Sequence, residues 1–230
     1  MKVAVIGGTG AEGFGLTLRL AKAGHDVVIG SRSQERGAEA AARALERLGG
    51  SGAVGGTSNE AAAAQGEIVI VTVPFAGQAD IYRSLGDSIA DRRIVVDATS
   101  PLATAVGGRA WQVVRPWHGS AAEQAAALLG PGSVRMVAAF HTISAEQLQD
   151  LDRPMESDVL VCGDDTEAKA LVGELVDAIP NLRWVDAGAL SMARIVETMT
   201  ALLVSVNRRY RISDAGFRVT GRDAWGAARA

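Results

Sequence analysis

The sequence predicts an α/β protein, a doubly wound parallel sheet with a smaller C-terminal α/β extension. Three observations carry that expectation. Short β-branched runs alternate with helical segments along almost the whole chain, the pattern of parallel strands joined by crossover helices. A glycine-rich turn separates the first such run from the first helix. Alanine and glycine are plentiful while aromatics make up only 4% of residues, which suits helices lying close on a sheet. At 230 residues and 48% hydrophobic content, the chain can bury one sizeable core with a small appendage.

Strands are expected at 2–6, 26–29, 67–73, 93–97, 134–140, 158–162 and 183–186, where β-branched residues dominate. Helices are expected near 13–23, 34–48, 59–65, 77–89, 120–129, 166–179 and 190–207. Gly49-Gly50-Ser51-Gly52 and Gly55-Gly56 are turns flanking a weak short strand, and Pro74 and Pro101 terminate strands. Asp164-Asp165-Thr166-Glu167 places carboxylates at a helix N-terminus, which explains it without a metal. In the last helix, Met192, Ile195, Val196, Met199, Leu202, Leu203 and Val206 form a core stripe at 3–4 spacing. A neighbouring strip of Ser191, Arg194, Thr198, Ala201 and Ser205 either packs against another helix or edges a pocket.

The opening Val3-Ala4-Val5-Ile6 strand runs into Gly8-Thr9-Gly10-Ala11-Glu12-Gly13, a G-x-G-x-x-G turn followed by the amphipathic 16–23. Gly8 is expected to permit the tight turn, Gly10 to let the backbone approach a pyrophosphate, and Gly13 to let helix and strand pack closely. The anion then sits on unpaired amides at the helix N-terminus. This is the fingerprint of a dinucleotide-binding Rossmann domain, placed at 1–140, with 141–230 completing a second pocket. An NAD enzyme carries Asp or Glu at the end of the second strand; here Ser31, Arg32 and Arg36 stand instead. A carboxylate would repel a 2′-phosphate, whereas a hydroxyl and guanidinium groups clamp one, so NADP is favoured.

Strands ending at Val73-Pro74, at Asp97 and at Phe140-His141 bring their termini to one sheet edge, where the ligand crevice forms. Val73 and Pro74 pass beside the adenosine or ribose, and His141 approaches the nicotinamide half or is simply structural. His25, in a turn, and His118, at a surface helix, read as structural. The lone Cys162 follows Val159-Leu160-Val161 and reads as a buried, inert thiol, so neither a disulfide nor a metal site is expected. The net charge of −3 divides into +4 from residue 208 onward and −7 before it. An acidic body argues against nucleic acid, and the basic tail is either a solvated surface or a grip on an anionic ligand. Lys2 leads directly into the first strand and no apolar run approaches the ~20 residues of a membrane span, so a soluble cytoplasmic protein is expected.

Beyond these readings, the motifs resemble those of the F420-dependent NADP oxidoreductases. The likeness runs through Gly7-Gly8-Thr9-Gly10 with Gly13-x-Gly15-Leu16, Ile29-Gly30-Ser31-Arg32, Ala139-Phe140-His141-Thr142-Ile143 and Val161-Cys162-Gly163-Asp164-Asp165. It continues with Asp186-Ala187-Gly188-x-Leu190-Ser191, Val196-Glu197-Thr198-Met199-Thr200 and Asn207-Arg208-Arg209-Tyr210, covering nearly the whole chain. The resemblance implies reversible hydride transfer between NADPH and coenzyme F420, an 8-hydroxy-5-deazaflavin. It implies NADP contacts at Thr9, Gly10, Ala11, Glu12, Ser31, Arg32, Arg36, Val73 and Ala145. It further implies deazaflavin contacts at His141, Ile143, Thr198, Thr200 and Ala215. His141 and Thr198 or Thr200 are expected to position the ring rather than exchange protons obligatorily. Arg208, Arg209 or nearby arginines are expected to attract its phosphate and glutamate tail. A homodimer is expected through the apolar C-terminal helix. The rival readings are another short NADP-dependent reductase of an imine or small carbonyl, and a non-catalytic NADP-binding redox sensor. The first usually needs a proton donor, and none of Lys2, Lys22 and Lys169 lies at a predicted strand end.

Overall fold

A computed structural model describes residues 1–89 and 93–221. Eight strands form one sheet: β1 (Lys2–Ile6), β2 (Asp26–Ser31), β3 (Ala53–Ser58), β4 (Ile68–Val71), β5 (Ile94–Asp97), β6 (Arg135–Ala138), β7 (Ser157–Gly163) and β8 (Leu182–Gly188). Their order is β3-β2-β1-β4-β5-β6-β7-β8. The first six are parallel; β7 pairs antiparallel with β6, and β8 follows β7 in parallel. The boundary expected at 140 therefore falls where strand direction reverses, within a sheet that continues across it.

The helices are α1 (Ala11–Lys22), α2 (Gln34–Arg47), α3 (Asn59–Ala63), α4 (Phe75–Leu85), α5 (Ala121–Leu129), α6 (Ala145–Gln149), α7 (Thr166–Asp177) and α8 (Ala193–Tyr210). Alternate residues of β1 feed different layers, with Val3 and Val5 in one core and Ala4 and Ile6 in the other. Both faces of the strand are covered, which is why it reads as an unbroken apolar run. Asp165 caps α7 by accepting from the Ala168 amide at 2.9 Å, and Asp164 accepts from the Leu190 amide at 2.9 Å. Cys162 is fully buried, and burial pushes its thiol up to about 12.

Two expectations need correction. α8 buries only part of the stripe read from its spacing: Val196 and Leu203 are buried, but Ile195 and Leu202 are 57% and 56% exposed, and Met192 is also exposed. The helix instead turns inward Ala193, Val196, Glu197, Ala201 and Leu203. The reason is Glu197, whose carboxyl accepts from the Ala121 and Ala122 amides at 2.7 and 3.0 Å. Those amides open α5 and have no partner within it, so they draw the carboxyl oxygens of Glu197 inward and leave Ile195 and Leu202 outward. The second correction concerns the glycine turn. Gly7, at φ +73°, takes the left-handed conformation, whereas a Cβ on Gly8 would stand 2.8 Å from the Val5 carbonyl oxygen.

α6, unforeseen in the sequence, packs across α1. A Cβ on Gly15 would come within 2.5 Å of Leu148 Cβ. Buried Arg19 donates to the Leu148, Gln147 and Arg153 carbonyls at 3.0, 2.7 and 2.8 Å, and also to that of Asp150. One guanidinium thus gathers the Gln147 and Leu148 carbonyls at the end of α6 with those of Asp150 and Arg153 beyond it. We expect Arg19→Met to destabilise the protein by about 3 kcal/mol, because several buried acceptors lose their donor. Urea unfolding measures this, and a loss below about 1 kcal/mol would mean that α6 is held by Leu148 packing instead.

Candidate active site

Parallel register places Ile6, Val71, Asp97 and Ala138 in one row across the sheet. Just beyond that row lie the glycine turn, Thr72-Val73-Pro74 and Ala139-Phe140-His141. A cleft of about 550 Å3 opens there, its wall including Gly7, Thr9, Gly10, Ser31, Arg32, Val73 and Pro74. The turn is fixed by the Gly8 amide donating to the Gly30 carbonyl and the Gly10 amide to the Gly7 carbonyl, at 3.1 and 2.9 Å. A Cβ on Gly13 would lie 2.4 Å from Thr72 Oγ1 and 2.8 Å from Gly8 Cα. This close approach seats the start of α1 against the turn.

Gly10 is the N-cap of α1 and has no side chain to cap it. The first-turn amides are therefore available to an anion, as pyrophosphate binding requires. Ser31 is buried at the end of β2, and Arg32 beside it is exposed, so a 2′-phosphate would meet a hydroxyl and a guanidinium. Arg36 stands exposed in α2 and is not part of the cleft wall. Buried Asn59 and half-buried Thr72 belong to that wall and were not singled out from the sequence. Asn59 Oδ1 accepts from the Gly7 amide at 3.4 Å, and Thr72 Oγ1 donates to the Ile6 carbonyl at 3.0 Å.

The second half of the rim is built around His141. Phe140 precedes it at φ +71° and is 1% exposed; a bulky residue held in the left-handed region is strained. His141 is buried, neither ring nitrogen has a hydrogen-bond partner, and burial pushes the imidazole down to about 3, leaving it neutral. Thr200 Oγ1 donates to the His141 carbonyl at 2.8 Å and lies 2.7 Å from Ser100 Oγ. Its hydroxyl thus holds the His141 backbone. Thr198 Oγ1 donates to the Ile195 carbonyl at 2.7 Å, within its own helix. Ile143 is half-buried next to the core, Ala145 opens α6, and the Ala215 amide donates to Asn207 Oδ1 at 3.0 Å. Arg208 stacks its guanidinium 4.2 Å from the Trp111 ring centroid, while Arg209 is exposed.

Carboxyl groups that the sequence did not single out lie beneath the rim. Asp97, His141 and Glu197 each bring one donor atom to within 4.8 Å of the others, all buried. Asp97 Oδ2 accepts from Tyr82 Oη at 2.7 Å and Gln78 Nε2 at 2.9 Å, and Oδ1 from the Thr99 amide at 3.0 Å. Glu12 is not in the cleft wall: its Oε1 is buried without a partner, and burial plus the charge of Asp97 raises its carboxyl to about 8. Only the pairing of β5 with β6 brings Asp97 near His141, and only the docking of Glu197 on the start of α5 brings α8 there, so spacing along the chain gave no signal.

Fold and cleft together define a Rossmann-type dinucleotide-binding protein with buried polar groups beneath the same rim, the arrangement of a nicotinamide-dependent oxidoreductase. Residues 2–101 match the model of the family described as NADP oxidoreductase, coenzyme F420-dependent. The chain is 42% identical over 221 residues to an F420-dependent NADP reductase of Methanothermobacter thermautotrophicus, covering 96% of this chain and 95% of the relative. A second F420-dependent NADP reductase, from Methanocaldococcus jannaschii, is 40% identical, with 96% and 98% covered. A crystal structure from Arthrobacter sp. FB24 superposes with a TM-score of 0.80 at 24% identity, covering 96% of this chain and 99% of that one. The chain belongs to the F420-dependent NADP reductase family.

The Glu12 carboxyl gives a test of this geometry. The folded protein retains its proton up to a pH of about 8, while the unfolded chain releases it near the ordinary value of 4.5. The folded state therefore loses stability as pH rises through that window. We expect Glu12→Gln to match the parent below the window and to exceed it by about 2–4 kcal/mol at its upper end. Urea unfolding across pH reads the difference. A constant offset at every pH would place the carboxyl in water.

Proposed function

We propose that this protein transfers a hydride reversibly between NADPH and coenzyme F420. One juxtaposition supports the reading most: a dinucleotide cleft carrying Ser31 and Arg32 shares its rim with a buried, unpaired, neutral imidazole. Both coenzymes supply the redox chemistry themselves when bound. The chain's task is then to bind, orient and exclude water. The α1 amides take the pyrophosphate, Ser31 and Arg32 the 2′-phosphate, and Val73 and Pro74 the wall beside the ribose. His141, Ile143, Thr198 and Ala215 face the deazaflavin. Thr200, through the His141 carbonyl, fixes where the imidazole sits.

Arg209 is the tail arginine best placed for the phosphate and glutamate chain, because Arg208 is already stacked on Trp111. Exposed Ile195 and Leu202 supply an apolar face for pairing two copies across a two-fold axis, so we propose a homodimer, and a cytoplasmic one. No helix among the described residues is long and apolar enough to cross a membrane.

Adding NADPH and oxidised F420 to the pure protein should bleach the deazaflavin absorbance; no bleaching at any pH would sink the proposal. Arg32→Glu should weaken NADPH binding on the order of 100-fold by replacing a charge-assisted contact with repulsion, while NADH affinity changes little. Equal losses for both nucleotides would remove Arg32 from the phosphate clamp. His141→Ala should slow hydride transfer about 10-fold, a loss suited to misplaced reactants. Complete inactivity with both coenzymes bound would make the imidazole indispensable to the chemistry.

A further inference from the structure

Glu197 stands out because nothing in the proposed hydride transfer uses it, yet it is a fully buried carboxyl beside the site. Its oxygens accept from the Ala121 and Ala122 amides, and each retains a second lone-pair site. One of its oxygens, one of Asp97 and one nitrogen of His141 lie within 4.8 Å of one another. That inner nitrogen has no hydrogen-bond partner, and neither does the other nitrogen of the ring. A neutral imidazole carries a proton on one nitrogen and a lone pair on the other, and the charge facing one nitrogen decides what the other offers.

We propose that Asp97 and Glu197 form a carboxyl pair that sets the tautomer of His141, with Glu197 as the positioning residue. Asp97, surrounded by donors from Tyr82, Gln78 and Thr99, is the ionised member. Its negative field favours the proton on the inner nitrogen and leaves the outer nitrogen as an acceptor. Glu197 carries the remaining proton of the pair, because two ionised carboxylates at this separation in a dry site repel strongly. The order of titration agrees: burial raises Asp97 to about 6, while burial and the charge of Asp97 raise Glu197 to about 8. When Glu197 ionises, a second negative charge faces the inner nitrogen and strengthens the preference for the proton there, while burial keeps the ring neutral.

The groups around Glu197 come from every neighbouring element. They are Asp97 on β5, His141 after β6, Tyr82 on α4, Glu123 on α5 and Cys162 on β7, with Glu12 on α1 acting through Asp97. Tyr82 and Cys162 stay neutral through this range because their own values are raised. Glu123 is held ionised by Arg194, at 2.6 and 2.8 Å. Glu12 also titrates near 8, so it is controlled for with Glu12→Gln.

The test reads the imidazole directly. Nitrogen-15 NMR of ring-labelled protein distinguishes the two neutral tautomers and imidazolium, and the three histidines are assigned with His141→Gln. The expected result is one dominant tautomer of His141 at pH 7, with an inflection in its nitrogen shifts toward still fuller dominance of that tautomer near the ionisation of Glu197. Glu197→Gln, which mimics the protonated carboxyl, should abolish the inflection, and Glu12→Gln should leave it in place. Asp97→Asn should shift the tautomer ratio toward the outer nitrogen. Nitrogen signals in Glu197→Gln that follow the parent across pH would overturn the assignment. So would an absence of any inflection in the unmodified protein, an observation that needs no variant to fold.

This inference rests on the F420 reading only in naming what the outer nitrogen meets. A second arm therefore measures quenching of F420 fluorescence on binding. The affinities of the parent and of Glu197→Gln should diverge by about fivefold above the inflection, and titration of the deazaflavin itself cancels in that comparison. Equal pH dependence in the two proteins would deny the carboxyl pair any influence on the ligand. F420 failing to bind at any pH would refute the function while leaving the NMR result to stand or fall on its own.

Discussion

The site depends on the absence of a single methyl group where α1 meets the rim of the sheet. At Gly13 any side chain would run into Thr72 Oγ1 and the Gly8 backbone. Because that space is left open, the helix starts directly over the ends of β1 and β4, with Gly10 as an N-cap that makes no side-chain bond. Free amides then face the cleft at the point where phosphate charge has to be met. Arg19 on the same helix holds α6 in place through backbone carbonyls. Gln149 of α6 returns to donate to the Ala11 carbonyl at 3.0 Å. One close contact therefore organises both the phosphate side of the rim and the segment that follows His141.

Polar groups hidden under the rim shape the other side. A parallel strand ending in a fully buried aspartate would be costly without partners; Asp97 has Tyr82, Gln78 and Thr99 as donors. Gln78 in turn accepts from Gln124 and donates to the Ala121 carbonyl, both at 2.9 Å, linking α4 to α5. Glu197 ties α5 to α8 from the opposite direction. The last helix is thus oriented by a polar contact, and its exposed Ile195 and Leu202 follow from that orientation.

Most of the strands were legible because strands covered on both faces carry uninterrupted β-branched residues, as Ile68–Val71 and Ile94–Asp97 do. The glycine loop, Ser31, Arg32, Val73 and Pro74 were legible because their chemistry is local: a turn, a strand end and the residues just beyond. α6 was missed because five residues show no helical period, and its main support, Arg19, lies more than a hundred positions away. The facing of α8 was misread for a related reason. Spacing ranks its residues by apolarity, whereas the deciding partner of Glu197 is a helix end some 75 residues earlier. Asp97 escaped notice because an acidic residue at a strand end looks like a turn until its neighbours in the sheet are known.

Trp111 lies beneath two guanidinium groups, with Arg208 at 4.2 Å and Arg109 at 5.2 Å from its ring centroid. Cations on an indole face are held by the ring's quadrupole, more weakly than by a phosphate. A polyanionic tail arriving near the end of α8 would therefore compete with the ring for Arg208. An indole stripped of its cation changes its emission. Trp111 is one of four tryptophans, so such a change would be read against three others, by difference and without a label.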